Sequence, residues 1–196
     1  MVMDLKVYNV DVEELTEEGF RPFGDLLSAS GPKIDNRDFL KMGFARMSDE
    51  VPQSRLDDFD VLDYWGGIAT ITQEPMRLGY LSPKPRPLVV SWFERHVKGT
   101  QSFVPLGGRA SILVVAGPSR LDDPSDLPEL TSVHAFYLDG SVGVNLHPGT
   151  WHWTPFPVFD RADFIILVRT DVRDDDLNFV DLELRLDTKI CINYSG

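Results

Sequence analysis

The sequence Ser91-Trp-Phe-Glu94-Arg-His96-Val-Lys-Gly-Thr-Gln101-Ser-Phe-Val-Pro-Leu-Gly-Gly108 is rich in aromatic and β-branched residues on both sides of the turn Lys98-Gly99. This pattern is typical of two consecutive strands joined by a turn. Because side chains alternate between the faces of a strand, Glu94 and His96 project from one face. We expect Gln101 to reach the same face from the next strand.

A later stretch, Gly143-Val-Asn-Leu-His147-Pro-Gly-Thr-Trp-His152, complements the first, and together the two hold three of the four histidines. A carboxylate, two imidazoles and an amide that converge inside a β-barrel can form a site for a divalent metal. Glu94, His96, Gln101 and His152 are therefore the candidate metal ligands. Because an amide is a poorer ligand than imidazole or carboxylate, Gln101 could instead orient a substrate or cap a neighbouring strand.

The composition restricts the possible partners. The 196 residues can form one well-buried core, so we expect a single domain. The formal net charge of -12 disfavours binding to nucleic acid or to an anionic membrane surface. An anionic substrate then needs local positive charge or a metal.

The single cysteine, Cys191, excludes an intramolecular disulfide, and without a leader or membrane-spanning pattern we expect a cytoplasmic protein.

Short strand patterns follow one another after residue 64, with glycine and proline turns between them and no long helical period. The predicted strands are Gly67–Thr72, Met76–Leu81, Leu88–His96, Gln101–Pro105, Ala110–Ala116, Val133–Leu138, Gly143–Leu146, Asp163–Thr170 and Asn178–Leu184. This pattern favours an antiparallel sandwich or a closed barrel, in which a ligand usually occupies the mouth or the interior.

The two ends of the chain are less regular. A short strand begins at Val7, after which Asp11 and Thr16 can each cap a helical turn. Residues 28–63 are polar and loop-like apart from a possible strand at Phe39–Met47. The tail Leu184–Gly196 alternates weakly, which is compatible with an edge strand or with an arm that crosses a partner subunit.

Two known motifs resemble these stretches. Glu94-x-His96-x4-Gln101-x6-Gly108 is similar to the first cupin motif, with Glu in place of its first His and Gln in place of its Glu, and Gly149-x-x-His152 is similar to the core of the second. Longer segments of the chain resemble the ureidoglycolate lyase family of the cupin superfamily in residue type and order. They are Phe20-Arg-Pro-Phe-Gly-Asp25, Phe93-Glu-Arg-His-Val-Lys-Gly-Thr-Gln-Ser-Phe-Val-Pro-Leu106 and residues 143–152, followed by Asp163-Phe.

This resemblance implies an all-β fold, a single cupin-type antiparallel β-barrel of the jelly-roll kind with a few short helices. Residues 1–196 would form one cupin domain, with an N-terminal strand, short helix and loop region at 1–63, the barrel at 64–184 and a C-terminal arm at 185–196. It also implies a homodimeric enzyme that cleaves ureidoglycolate, a small anionic metabolite, into glyoxylate and urea in purine (allantoin) breakdown. A divalent metal ion, nickel, manganese or zinc, would assist the reaction.

For the reaction that the resemblance implies, the catalytic candidates are Glu94, His147 and His152, and His147 could instead be a metal ligand or a bystander. The candidates for substrate binding are Tyr80, Lys84, Trp153 and Arg169. Family members often have a second histidine at position 153, Asp-Arg at 168–169 and an arginine at position 80, where this chain has Trp153, Val168-Arg169 and Tyr80. These departures leave open a related cupin enzyme that acts on another small hydroxy or oxo acid, or a non-catalytic cupin that binds a small molecule.

Overall fold

A computed structural model describes residues 5–29, 33–34, 64–65, 75–117, 120–170 and 176–196. The strands are β1 Lys6–Glu14, β2 Gly24–Leu27, β3 Lys33–Ile34, β4 Tyr64–Trp65, β5 Met76–Leu81, β6 Val89–Val90, β7 Trp92–His96, β8 Gln101–Leu106, β9 Ser111–Ala116, β10 Val133–Leu138, β11 Gly143–Leu146, β12 Trp151–His152, β13 Phe156–Pro157, β14 Asp163–Arg169, β15 Leu177–Asp181 and β16 Thr188–Asn193. The helices are α1 Glu17–Phe20, α2 Leu182–Leu186 and a 3-10 turn at Leu130–Ser132. The predicted all-β fold with a few short helices is confirmed.

The chain divides into two compact units, residues 1–27 with 69–196, and residues 28–68. The first unit contains a nine-stranded sheet in the order β15-β7-β12-β9-β10-β1-β16-β6, with β13 paired to β9, and a five-stranded sheet in the order β2-β11-β8-β14-β5. In the second unit, β3 pairs with β4. Most pairings are antiparallel as predicted, but β1 runs parallel to both β10 and β16.

Two apolar cores lie on the two faces of the large sheet, because consecutive residues of β9 point in opposite directions. Ile112, Val114 and Ala116 belong to one core. Leu113 and Val115 belong to the other, where they pack with residues of the small sheet such as Phe103. The second core therefore fills the space between the two sheets, and we call this space the barrel interior.

Several strand boundaries differ from the sequence prediction. The run Leu88–His96 forms two strands, β6 and β7, that meet at Ser91, whose hydroxyl donates to Glu183 and whose carbonyl accepts from the Leu182 N–H. The strand expected to continue to Leu184 ends at Asp181, because that carboxylate caps α2 by accepting from the Leu184 N–H.

The N-terminal prediction is half right. Thr16 caps α1 by accepting from the Gly19 N–H, but Asp11 lies inside β1 and caps no helix. In the C-terminal tail, β16 is hydrogen-bonded to β1 on one side and to β6 on the other, so it is not an edge strand. The strands predicted at Phe39–Met47 and Gly67–Thr72 lie outside the described residues. No helix in the described part of the chain is long and apolar enough to span a membrane.

Candidate metal centre

Four of the predicted site residues lie on three strands at one end of the barrel interior. Glu94 and His96 alternate with buried Phe93 and Arg95 along β7, so the two potential ligands share a face. His152 on β12 pairs directly with Glu94 across the large sheet. Gln101 begins β8 in the small sheet and faces them from across the interior. The site therefore joins the two sheets.

The four side chains are in direct contact. Gln101 Oε1 lies 2.7 Å from His152 Nε2 and 3.0 Å from His96 Nε2. His152 Nε2 is also 3.4 Å from Glu94 Oε1. The potential ligand atoms of Glu94, His96 and His152 all lie within 4.8 Å of one another. The imidazoles and the amide are buried, whereas Glu94 keeps 18% of its side chain exposed and marks the open side of the cluster.

Hydrogen bonding favours a positive species within this cluster. His152 Nδ1 is 3.0 Å from the carbonyl of Thr150, an acceptor, so Nδ1 carries a proton and donates it. In the neutral ring, Nε2 then presents a lone pair to two more acceptors, Gln101 Oε1 and Glu94 Oε1. Three facing acceptors repel one another unless a proton or a metal ion lies between them.

His96 also fits a cation site. Its Nδ1 atom is buried without a hydrogen-bond partner. If Nε2–H donates to Gln101 Oε1, the unpartnered Nδ1 carries a free lone pair inside the protein. An imidazole lone pair of this kind is a common ligand for divalent metals. The donor set of one carboxylate, two imidazoles and one amide oxygen therefore fits a divalent ion.

The same contacts change the ionisation of the cluster. Burial raises the pKa of Glu94, but the hydrogen bond to His152 and the positive charges of His152 and His96 outweigh burial and leave that pKa below its ordinary value. Burial, followed by the charge of His152, lowers the pKa of His96 despite the opposing effect of Glu94. An ionised Glu94 and a neutral His96 are the protonation states in which both bind metal.

A family model described as Ureidoglycolate lyase matches residues 7–189 of the sequence. The chain belongs to the ureidoglycolate lyase family. Ureidoglycolate lyase of Pseudomonas savastanoi pv. phaseolicola (strain 1448A / Race 6) is 32% identical over 162 residues, which cover 81% of this chain and 82% of that protein. Ureidoglycolate lyase of Pseudomonas aeruginosa (strain LESB58) is 30% identical over 165 residues, which cover 81% of this chain and 82% of that protein. The expected family, and with it the expectation of an enzyme, is confirmed.

The other candidates in this ureidoglycolate lyase family member lie apart from the four-residue cluster. His147 Nε2 is 3.1 Å from Asp25 Oδ1. Asp25 in turn contacts Asn145, which accepts from the Ser102 hydroxyl. Because Ser102 follows Gln101 in β8, its side chain points away from the barrel interior. The partners of His147 therefore lie on the outer face of the small sheet.

The candidates for substrate binding also differ in environment. Tyr80 is 58% exposed, and its hydroxyl accepts from Arg161. Lys84 is exposed. Trp153 follows His152 and packs edge-on against the exposed ring of Phe179, which pairs with Glu94 across β7 and β15. Trp153 also packs against the apolar core on the face of the large sheet that is opposite the barrel interior.

Two residues that contribute to the site were not among the predicted site residues. The ring of Phe103 contacts His152 edge-on, with centroids 6.0 Å apart. Buried Asp176 accepts from the Lys98 N–H and lies 3.5 Å from Arg169 Nε, and its charge partly offsets the lowering of the His96 pKa. For Phe103, strand alternation from Gln101 was a usable signal. No feature of the sequence indicated Asp176, because it lies on a different segment from its partners Lys98 and Arg169.

Proposed function

We propose that this protein cleaves the C–N bond of ureidoglycolate to give glyoxylate and urea, with a divalent metal ion held by Glu94, His96 and His152. Membership of the ureidoglycolate lyase family supports the substrate. The observation that carries the metal is the convergence of those three side chains and Gln101 at one end of the barrel interior. Nickel, manganese and zinc all accept this donor set.

Each residue of the cluster would have a distinct role in the reaction. When bound, the ion supplies Lewis-acid polarisation to the hydroxyl and carboxylate of the substrate. His96 and His152 hold it from the buried side, and Thr150 fixes the ring orientation of His152 through the Nδ1 hydrogen bond. Gln101 completes the set through its amide oxygen or orients the substrate.

The reaction requires the transfer of one proton. As the substrate hydroxyl becomes the carbonyl of glyoxylate, its proton must leave, the C–N electron pair moves to nitrogen, and the departing urea nitrogen takes up a proton. Glu94 is the most exposed member of the cluster and has a lowered pKa, so it is ionised at neutral pH, and its carboxylate oxygen that does not hold the ion would accept the proton. Its protonated form can then donate to the urea nitrogen.

Turnover by the metal-reconstituted protein tests this proposal. The full chain is stripped with a chelator, reloaded separately with nickel, manganese or zinc, and mixed with racemic ureidoglycolate while urea and glyoxylate are both measured. We expect equal, metal-dependent release of the two products and a rate at least ~100-fold lower for Glu94→Gln. Glu14→Gln, the same change at an exposed position of β1, is the matched control. Absence of turnover by a folded, metal-loaded protein would refute the proposal.

A second candidate is the same metal-assisted chemistry on another small hydroxy or oxo acid. The observation in its favour is Val168, a buried apolar residue at a position where family members often have aspartate. Turnover of a panel of such acids, with ureidoglycolate inert, would favour it. A non-catalytic binding protein would bind the acid and release it unchanged.

Homodimer formation and residence in the cytoplasm remain predictions.

A further inference from the structure

A substrate carboxylate needs a cation that overcomes the net charge of -12. Several described arginines have structural partners. Arg95 pairs with Asp126, Arg109 with Asp160 and Arg120 with Asp123, Arg161 binds Asp163 and Tyr80, and Arg169 contacts Asp176. The guanidinium of Arg86 donates to the carbonyls of Thr154 and Pro155 and stacks on Phe156. These contacts direct attention to other cations on the face of the site.

The small sheet presents its interior side chains in rows that cross the strands. In one row, Phe103 of β8 pairs with Ile166 of β14, which pairs with Gly79 of β5. Phe103 and Ile166 belong to the interior core, so this face is the one that points into the barrel. The row is apolar and forms the floor beneath the candidate metal centre.

The next row toward the metal centre contains a positive charge. Gln101 lies two residues before Phe103, and Arg77 lies two residues before Gly79, so both share the interior face. Val168 of β14 lies between them. It pairs with Arg77 of β5. On its other side the β14–β8 ladder ends at the Leu167–Ser102 pair, so Val168, the next residue of β14, lies opposite Gln101, the preceding residue of β8. Gln101, Val168 and Arg77 thus form a row across three adjacent strands.

We propose that Arg77 binds the carboxylate of the substrate at the metal centre, an inference that rests on the proposed function. Adjacent strands are about 4.8 Å apart, so the backbone of Arg77 is roughly 10 Å from that of Gln101. A small hydroxy acid at the metal centre fits into this gap, and an extended arginine side chain reaches it. The planar guanidinium binds both oxygens of a carboxylate, which would fix the orientation of the acid as well as its charge.

Burial of Val168 strengthens the interaction. Val168 is only 7% exposed, so it covers the surface between Gln101 and Arg77 with an apolar side chain. An aspartate at this position would offer the guanidinium an internal partner, whereas valine does not compete with the ligand. Arg77 itself is exposed, so its substitution should not disturb the core.

Binding of glycolate and of its neutral amide, glycolamide, to the metal-loaded full chain tests this assignment by calorimetry. Arg77→Gln should weaken glycolate binding at least about tenfold and leave glycolamide binding unchanged, because only glycolate carries the charge. Arg77→Lys should recover part of the loss, since lysine keeps the charge without the planar fork. Arg185→Gln removes the same charge from the exposed surface of α2 and should leave glycolate binding as it is.

Ureidoglycolate kinetics provide a second readout. Arg77→Gln should raise KM at least about tenfold with a much smaller change in kcat, because the contact orients the substrate rather than transferring a proton. Glycolate binding that is absent from the wild type, or equal in wild type and Arg77→Gln, overturns the assignment. If turnover fails but glycolate binding depends on Arg77, the proposed reaction is wrong and the carboxylate site stands. If turnover proceeds and KM is unchanged in Arg77→Gln, the reaction stands and the carboxylate site is wrong.

Discussion

The substitution Gln101→Glu tests the arrangement of acceptors at the candidate metal centre. Glutamate has nearly the same shape as glutamine, but it replaces an amide by a carboxylate at a point 2.7 Å from His152 Nε2 and 3.0 Å from His96 Nε2. If this cluster binds a metal ion, the added negative charge strengthens that binding. We therefore expect the variant to bind divalent metal more tightly than the wild type.

The expected gain follows from the difference between charged and neutral acceptors. Hydrogen bonds give the scale of this difference: one to an ionised group contributes about 1.5–3 kcal/mol, against about 0.5–1.5 kcal/mol for one to a neutral group. The midpoints of the two ranges differ by roughly 1.25 kcal/mol, which corresponds to about an eightfold lower Kd for the metal. Calorimetric titration of the chelator-stripped protein with zinc measures this change. Asn9→Asp, which makes the same chemical change at an exposed position of β1, should leave the Kd unchanged.

The opposite result would reverse the interpretation of the cluster. An amide turned by 180° would donate its two N–H groups to His96 and His152, and the cluster would be satisfied without any cation. Glutamate cannot make those two donations, so Gln101→Glu would then destabilise the protein without improving metal binding. Unchanged or weaker zinc binding in a folded variant contradicts the placement of the Gln101 amide oxygen beside the metal.

Three further predictions concern the centre and its support. His152→Ala should abolish stoichiometric metal uptake in a folded protein, whereas His134→Ala, at a 42% exposed side chain, should retain it; metal analysis after gel filtration distinguishes them. Because burial lowers the pKa of His96, the unfolded chain binds more protons below pH ~6.5, so the melting temperature of the metal-free protein should fall as the pH drops from 7 to 5, and less steeply in His96→Gln. Identical pH profiles would count against this reasoning. Arg95→Ala removes the 2.9 Å ion pair of buried Asp126, which the exposed Arg120 still contacts at 3.3 Å, and should lower the free energy of unfolding by about 3 kcal/mol in urea titrations, whereas a loss below ~1 kcal/mol would show that the pair is not structural.

Alternation and spacing were sufficient to predict which side chains converge in the candidate metal centre. Glu94 and His96 had to share a face of one strand, and Gln101 followed after a turn of fixed length, so the local pattern determined three directions. His152 came from a separate stretch, and its place opposite Glu94 depends on the pairing of β12 with β7. The motif order supplied that pairing where periodicity could not.

Contacts between distant strands explain what the sequence did not reveal. His147 lies in one of the two diagnostic stretches, yet its partner Asp25 comes from β2, which pairs with β11 on the far side of the small sheet from β14. Arg77 occupies an unremarkable strand, and its relation to Gln101 depends on the register of two ladders. Register of this kind is determined by tertiary packing, and a shift of one residue would move every side chain of the strand to the opposite face of the sheet.

The most direct measurement is anomalous X-ray scattering from crystals of the full chain grown with zinc or manganese. The account predicts a single strong peak about 2.0–2.2 Å from one nitrogen each of His96 and His152 and from a carboxylate oxygen of Glu94. A peak at another position, or metal-loaded crystals without density between these side chains, would contradict the central claim that they form the metal centre.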